Sequence, residues 1–401
     1  MRFALIGEHP LGLETANALR EVGRHELGAY SGPAAGLAWL EQRGCAAVQH
    51  PDAEAVLALP DIDVVIVAAA YDERADVLRR AVRSEHHVLC VHPADSLPDV
   101  TYEAALLAEE SRKRLLPILL PRYNPGLHQA REIAQQGLLG TLSSVEAEFR
   151  LPEAASQTPP PQTAKNRRRR SQRPEGNWDS SPLLTLWDAL RFLLGDVAEV
   201  SAIGVDGDAL KPTSPLTLTG RFQSGALFQV LLRAGPSAED RLCLRGTTDS
   251  ATLSGAILGP GRCELVCRRL GENPTTWNWQ PWPQLVQDLE AALAGKRTTI
   301  EWQDATRCLE LFEAAQQSVK RKRVIPLQYE EFSEEANFKT VMTTLGCLTL
   351  LLVLAVFIAL LALGAPLGPW SLYLLLPLLL LFLILQALGW IVPRQQRQRS
   401  A

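Results

Sequence analysis

Apolar positions along the chain recur with two different periods. Short continuous runs at residues 2–7, 64–70 and 88–91 read as buried strands, while 13–22 and 72–82 carry apolar residues at helical spacing. Residues 61–95 therefore predict a strand-helix-strand unit ending at His92-Pro93. A second strand is expected near residues 26–30. Further on, strand-like runs at 143–149, 197–203, 215–222, 226–233 and 240–246 alternate with predicted helices at 182–194, 284–294 and 302–319. The pattern changes again at the C-terminal end. Residues 341–363 and 371–392 carry no charge at all over 23 and 22 positions and are dominated by leucine.

At helical rise those two segments span roughly 33 to 35 Å each, enough to cross a bilayer. Basic residues flank them on the outside, Lys320-Arg321-Lys322-Arg323 and Lys339 before, and Arg394, Arg397 and Arg399 after. The positive-inside bias places both flanks in the cytoplasm, so a transmembrane hairpin at an inner or plasma membrane is expected, reached through a linker at 331–340. Neither span carries an ionisable residue, which points to anchoring rather than transport. The opening MRFALIGEHP has too short an apolar run for a secretory leader, so the body is expected to be cytoplasmic.

The whole chain of 401 residues, 47% hydrophobic and 21% charged, is long enough for two domains besides this hairpin. Its net charge of −4 does not suggest a nucleic-acid partner. Seven scattered cysteines without a C-x-x-C pair support neither a disulfide framework nor a metal site; Cys263 and Cys267 read as buried strand residues. Residues 152–177 are poor in apolar positions and contain Pro159-Pro160-Pro161 and Arg167-Arg168-Arg169-Arg170, which predicts a disordered basic insert. Its 165–173 run could lie against anionic headgroups or simply be solvated. His86-His87 read as a polar turn.

Gly7-Glu8-His9-Pro10-Leu11-Gly12 follows the first strand at the spacing of the dinucleotide fingerprint G-x-G-x-x-G, with His9 at the middle glycine. A Cβ there, and Pro10 without an N–H, both work against a phosphate cradle. The acidic residue expected after the second strand is replaced by Ser31. NAD or NADP is the implied cofactor, and a scaffold that holds neither is the alternative.

The layout around 61–95, the Pro121-Arg122-Tyr123-Asn124-Pro125 segment, Gly137-Leu138-Leu139-Gly140 and the closing block at 285–323 together resemble the glucose-fructose oxidoreductase and inositol dehydrogenase (Gfo/Idh/MocA) family. The resemblance implies a Rossmann-like domain over 1–120 and an α+β domain over 121–330, whose open, mostly antiparallel sheet is covered by helices. It implies cofactor contacts at Gly7, His9, Gly12, Ser31, Ala69, Pro93 and Arg122. The family's Glu-Lys-Pro lysine position is held by His92, and the helix motif around Leu193-Leu194-Gly195 puts Asp188 at the family aspartate and Thr185 at the family histidine. Where the family has a Thr-Pro-Asn-x-x-His-like turn, this chain has Ala69-Ala70-Tyr71-Asp72-Glu73-Arg74. Two readings follow. One is a membrane-anchored NAD(P)-dependent oxidoreductase acting on a sugar, polyol or related hydroxyl compound through His92 and Asp188; the other is a catalytically inactive relative that binds a ligand or partner at the membrane.

Overall fold

The computed structural model describes residues 1–95, 97–150, 182–204, 215–233, 240–271 and 273–329. The basic insert, the 331–340 linker and the two apolar segments at 341–363 and 371–392 lie outside the described residues. Among the described residues, no helix is long and apolar enough to cross a membrane. Residues 1–328 make one compact unit.

Its first half alternates strands and helices: β1 (Arg2–Ile6), α1 (Pro10–Glu21), β2 (Glu26–Ser31), α2 (Ala34–Glu41), β3 (Val48–Gln49), α3 (Ala53–Leu57), β4 (Val64–Val67), α4 (Tyr71–Arg83), β5 (His87–Val91), α5 (Asp99–Ser111) and β6 (Leu115–Ile118). The six strands are parallel, in the order β3-β2-β1-β4-β5-β6. Because side chains alternate along a strand, Phe3 and Leu5 join the apolar cluster containing Leu13 and Leu19 of α1. Ala4 and Ile6 join a second cluster with Val77 and Leu78 of α4. Both faces are thus dry, as the continuous apolar runs required. The strand order reverses between β1 and β4, and the crevice beyond their C-terminal ends is where such sheets hold ligands.

A 3-10 turn (Leu120–Tyr123) and α6 (Pro125–Gln135) lead into the second half. There β7 (Leu142–Arg150), β8 (Val197–Gly204), β9 (Leu216–Phe222), β10 (Leu227–Arg233), β11 (Arg241–Gly246), β12 (Ser250–Gly255), β13 (Gly261–Cys267), β14 (Thr275–Trp279) and β15 (Ile325–Pro326) form one sheet. The order is β14-β13-β12-β11-β7-β10-β9-β8-β15, antiparallel except where β10 runs parallel to β7. Val145, Ala147 and Phe149 point inward; α6, α7 (Pro182–Leu194) and α9 (Trp302–Arg321) pack over this face, and α8 (Trp282–Leu293) packs against α1 and the 3-10 turn. The outer face is polar and cross-linked by charge: Arg245 grips Glu146 through two bonds of 2.6 and 2.8 Å.

Two departures from the sequence reading have physical causes. β12 and β14 were not anticipated, because their short segments carry serine, threonine, glycine and asparagine in place of clean apolar alternation. Cys263 and Cys267 sit on the inner face of β13 with Leu265 between them, in the buried strand setting that the sequence suggested. His86 is not a simple polar turn residue. It is 4% exposed, and its ring nitrogens face the carbonyls of Ile62 at 2.7 Å and Leu57 at 3.1 Å, tying the loop before β4 to α3.

Candidate functional site

The fingerprint turn keeps the glycines that the fold needs and replaces the one a ligand needs. Gly7 has φ of +104°, and a Cβ there would stand 2.1 Å from the Ala68 carbonyl oxygen. At Gly12 a Cβ would stand 2.2 Å from the Cβ of Ala68, so glycine lets α1 pack onto the end of β4. Between them, His9 is the N-cap of α1, and its Nδ1 accepts from the Leu11 N–H at 3.2 Å. The Gly12 and Leu13 N–H groups donate to the His9 carbonyl at 2.8 and 3.1 Å, and Pro10 has no N–H. Every donor of the first turn is therefore spoken for by His9, with the Glu8 carboxylate adjoining.

The neighbouring turn after β2 is also filled from within. Tyr30 is fully buried and donates to the Pro33 carbonyl at 2.9 Å. Its hydroxyl lies where a Cβ on Gly32 or Gly36 would go, at 2.6 and 2.2 Å. Burial, with the Glu8 charge nearby, pushes the phenol up to about 12. Ser31 is 7% exposed, and its carbonyl takes the Gly7 N–H at 2.7 Å.

At the far end of the crevice, Arg74 reaches in from α4. It is fully buried and donates through Nε to the Ala69 carbonyl at 3.0 Å and through Nη1 to the Pro93 carbonyl at 2.8 Å. The two positions expected on the nicotinamide side, Ala69 and Pro93, are thus joined by one guanidinium. Beside it, both ring nitrogens of His92 are buried without a hydrogen-bond partner. Burial, reinforced by the Arg74 charge, lowers the imidazole to about 3, so the ring is neutral. Sequence reasoning passed over Arg74, yet a signal was there. Position 74 falls on the same α4 stripe as Val77, Leu78 and Ala81, and a cation on an apolar stripe marks a buried, partnered charge.

Asp188 does not meet His92. It is fully buried on α7, and its Oδ1 accepts from Arg122 Nε at 2.7 Å, while Oδ2 has no partner. Arg122 also reaches Asp304 at 2.8 Å and the Thr299 carbonyl at 3.2 Å. Burial raises the Asp188 carboxyl despite the opposing pull of Arg122. Burial works against the Arg122 charge, but Asp188 and Asp304 outweigh it and hold that guanidinium above its usual range. The network continues through Arg191 to Asp196 and Asp304 and through Arg307 to Asp196, so these groups tie the crossover, α7 and α9 together. Arg122 is committed to this network through Asp188, Asp304 and the Thr299 carbonyl. Thr185 lies one turn before Asp188 and is partly exposed; a hydroxyl at that place cannot exchange protons near neutral pH.

No family model matches the chain. A curated inositol 2-dehydrogenase from Rhizobium meliloti (strain 1021) is 25% identical over 218 residues, covering 52% of this chain and 62% of that protein. Among solved structures, aldose-aldose oxidoreductase from Caulobacter crescentus, complexed with glycerol, matches with a TM-score of 0.67 at 18% identity. That match covers 82% of this chain and 99% of the other. The WlbA dehydrogenase from Bordetella pertussis, in complex with NADH and UDP-GlcNAcA, gives a TM-score of 0.63 at 16% identity, covering 82% and 99%. The chain has the two-domain fold of Gfo/Idh-type dehydrogenases, a Rossmann-like parallel sheet followed by a second sheet. Its neighbours include NAD(P)-dependent oxidoreductases with NAD+ or NADH bound, whereas the first turn of α1 here offers a pyrophosphate no amide.

Proposed function

We propose that the protein is a Gfo/Idh/MocA-type family member that binds an uncharged sugar- or polyol-like compound at the tip of β5 without oxidising it. In this reading the apolar segments at 341–363 and 371–392 tether it to the cytoplasmic face of a membrane. The observation that carries the ligand site is His92. A buried polar atom without a partner costs roughly 1–3 kcal/mol, and this ring has two. A neutral imidazole donates from one nitrogen and accepts at the other, which suits hydroxyl groups and not a carboxylate. The absence of turnover rests on Thr185 at the proton-transfer position and on Asp188 being committed to Arg122.

The competing reading is an active NAD(P)-dependent oxidoreductase in which His92 accepts the proton of a substrate alcohol. Its place at the lysine position favours this reading, while the burial that lowers the imidazole to about 3 weakens it as a base.

Binding is tested on the full chain in detergent by thermal unfolding with myo-inositol, glucose or glycerol and no nicotinamide present. A ligand at about a hundred times its Kd should stabilise the protein by roughly 2.7 kcal/mol, and His92→Leu should abolish the shift. Stabilisation by none of these compounds, or an equal shift in His92→Leu, would sink the ligand site.

A further inference from the structure

The family of folds to which this chain is similar implies a dinucleotide, and the residues at the head of α1 do not fit one. We infer that His9 and Pro10 form a built-in plug that occupies the pyrophosphate position, so that the protein works independently of NAD(P). Three observations converge on this. Of the three fingerprint glycines, Gly7 is held by close packing against the Ala68 backbone and Gly12 against the Ala68 side chain, and both are retained. The middle one serves only the approach of a ligand, and it alone is lost.

Second, a helix N-terminus binds phosphate through amides left without partners. In α1 the imidazole of His9 accepts from Leu11, the His9 carbonyl accepts from Gly12 and Leu13, and Pro10 contributes no donor. The imidazole does for the helix what a phosphate oxygen would do. Third, the adjoining half of the crevice is closed by the Tyr30 phenol, which fills the space above Gly32 and Gly36 beside Glu8. A negative carboxylate and a buried ring stand where an adenosine with its phosphates would need room and positive charge.

This inference goes beyond the polyol reading and is separable from it, because it concerns α1 and not His92. The test is a fluorescence and calorimetric titration of the full chain with NADH, NADPH and ADP, repeated on His9→Gly and on His9→Gly with Pro10→Ala. Wild type should show no saturable binding up to millimolar nucleotide. Returning the two amides should tighten binding by about tenfold or more for each one regained, so the double variant should bind measurably and more tightly than the single one. Micromolar NADH or NADPH binding by the wild type would overturn the plug. A double variant that melts like the wild type yet stays silent would overturn its assignment to His9 and Pro10. If the double variant does not fold, the single His9→Gly variant carries the same comparison, with gained binding supporting the plug and silence opposing it. Failure of the polyol site would show instead as absent stabilisation by polyols, whatever the nucleotides do.

Discussion

Arg122→Ala is expected to lower the stability of the fold by about 3–5 kcal/mol, the cost of stripping one partner from a buried ion pair. The change would leave Asp188 fully buried, with neither carboxylate oxygen paired, and would also free a bond to Asp304. The same principle predicts that Arg122→Met combined with Asp188→Leu recovers most of the loss, because two apolar groups need no partner. Denaturant midpoints at unchanged slope measure both. A loss below about 1 kcal/mol in the single variant would mean that water screens the pair, as it does for surface pairs, and that Asp188 is more available than its burial indicates.

His92→Leu should have the opposite sign. The leucine removes two buried atoms that lack partners, so the variant should gain roughly 1–3 kcal/mol near neutral pH. A pH dependence follows from the lowered pKa. The unfolded chain protonates this ring near its ordinary 6.5, but the folded chain holds it neutral down to about 3. Below pH 6.5 the unfolded state therefore takes up a proton that the folded state refuses, and stability falls as acidity rises. Over the interval from 6.5 to about pH 5 this amounts to about 2 kcal/mol, at 1.36 kcal/mol per unit. Urea melts near pH 7 and at about pH 5 should thus show the advantage of His92→Leu widening by that amount. A constant difference would show that the ring titrates normally and is open to water.

The two effects together describe a site kept at the expense of stability. Such a cost is consistent with function, because a side chain retained only for packing would be apolar at that place. The gain in His92→Leu and its loss of polyol binding should therefore occur in the same variant.

Most of the fold was legible because both halves write their periods plainly. The apolar run at 64–70 and the helical stripe at 72–82 specify a parallel unit, and the predicted helix over 182–194 coincides with α7 (Pro182–Leu194). Strands such as β12, reading SATLSG, were illegible because one alanine and one leucine set among serines and a threonine leave little hydrophobic contrast. The site was readable where chemistry is local. His9 and Pro10 at the fingerprint already argue against a phosphate, and the structure adds where the amides go. It was not readable where partners are remote in sequence: Arg122 meets Asp188 and Asp304 across 66 and 182 positions, and no spacing rule connects them. That is why Asp188 was expected beside His92 and was found holding the crossover instead.

The most direct measurement of the central claim is a turnover assay on the full chain, following nicotinamide absorbance with NAD or NADP and a panel of sugars and polyols. It should include any compound that stabilises the protein. The account predicts binding of such a compound with no change in absorbance above background, in the wild type and in His92→Ala alike. Steady reduction of NAD or NADP by the wild type, abolished in His92→Ala, would contradict it and establish His92 as the base of a working dehydrogenase.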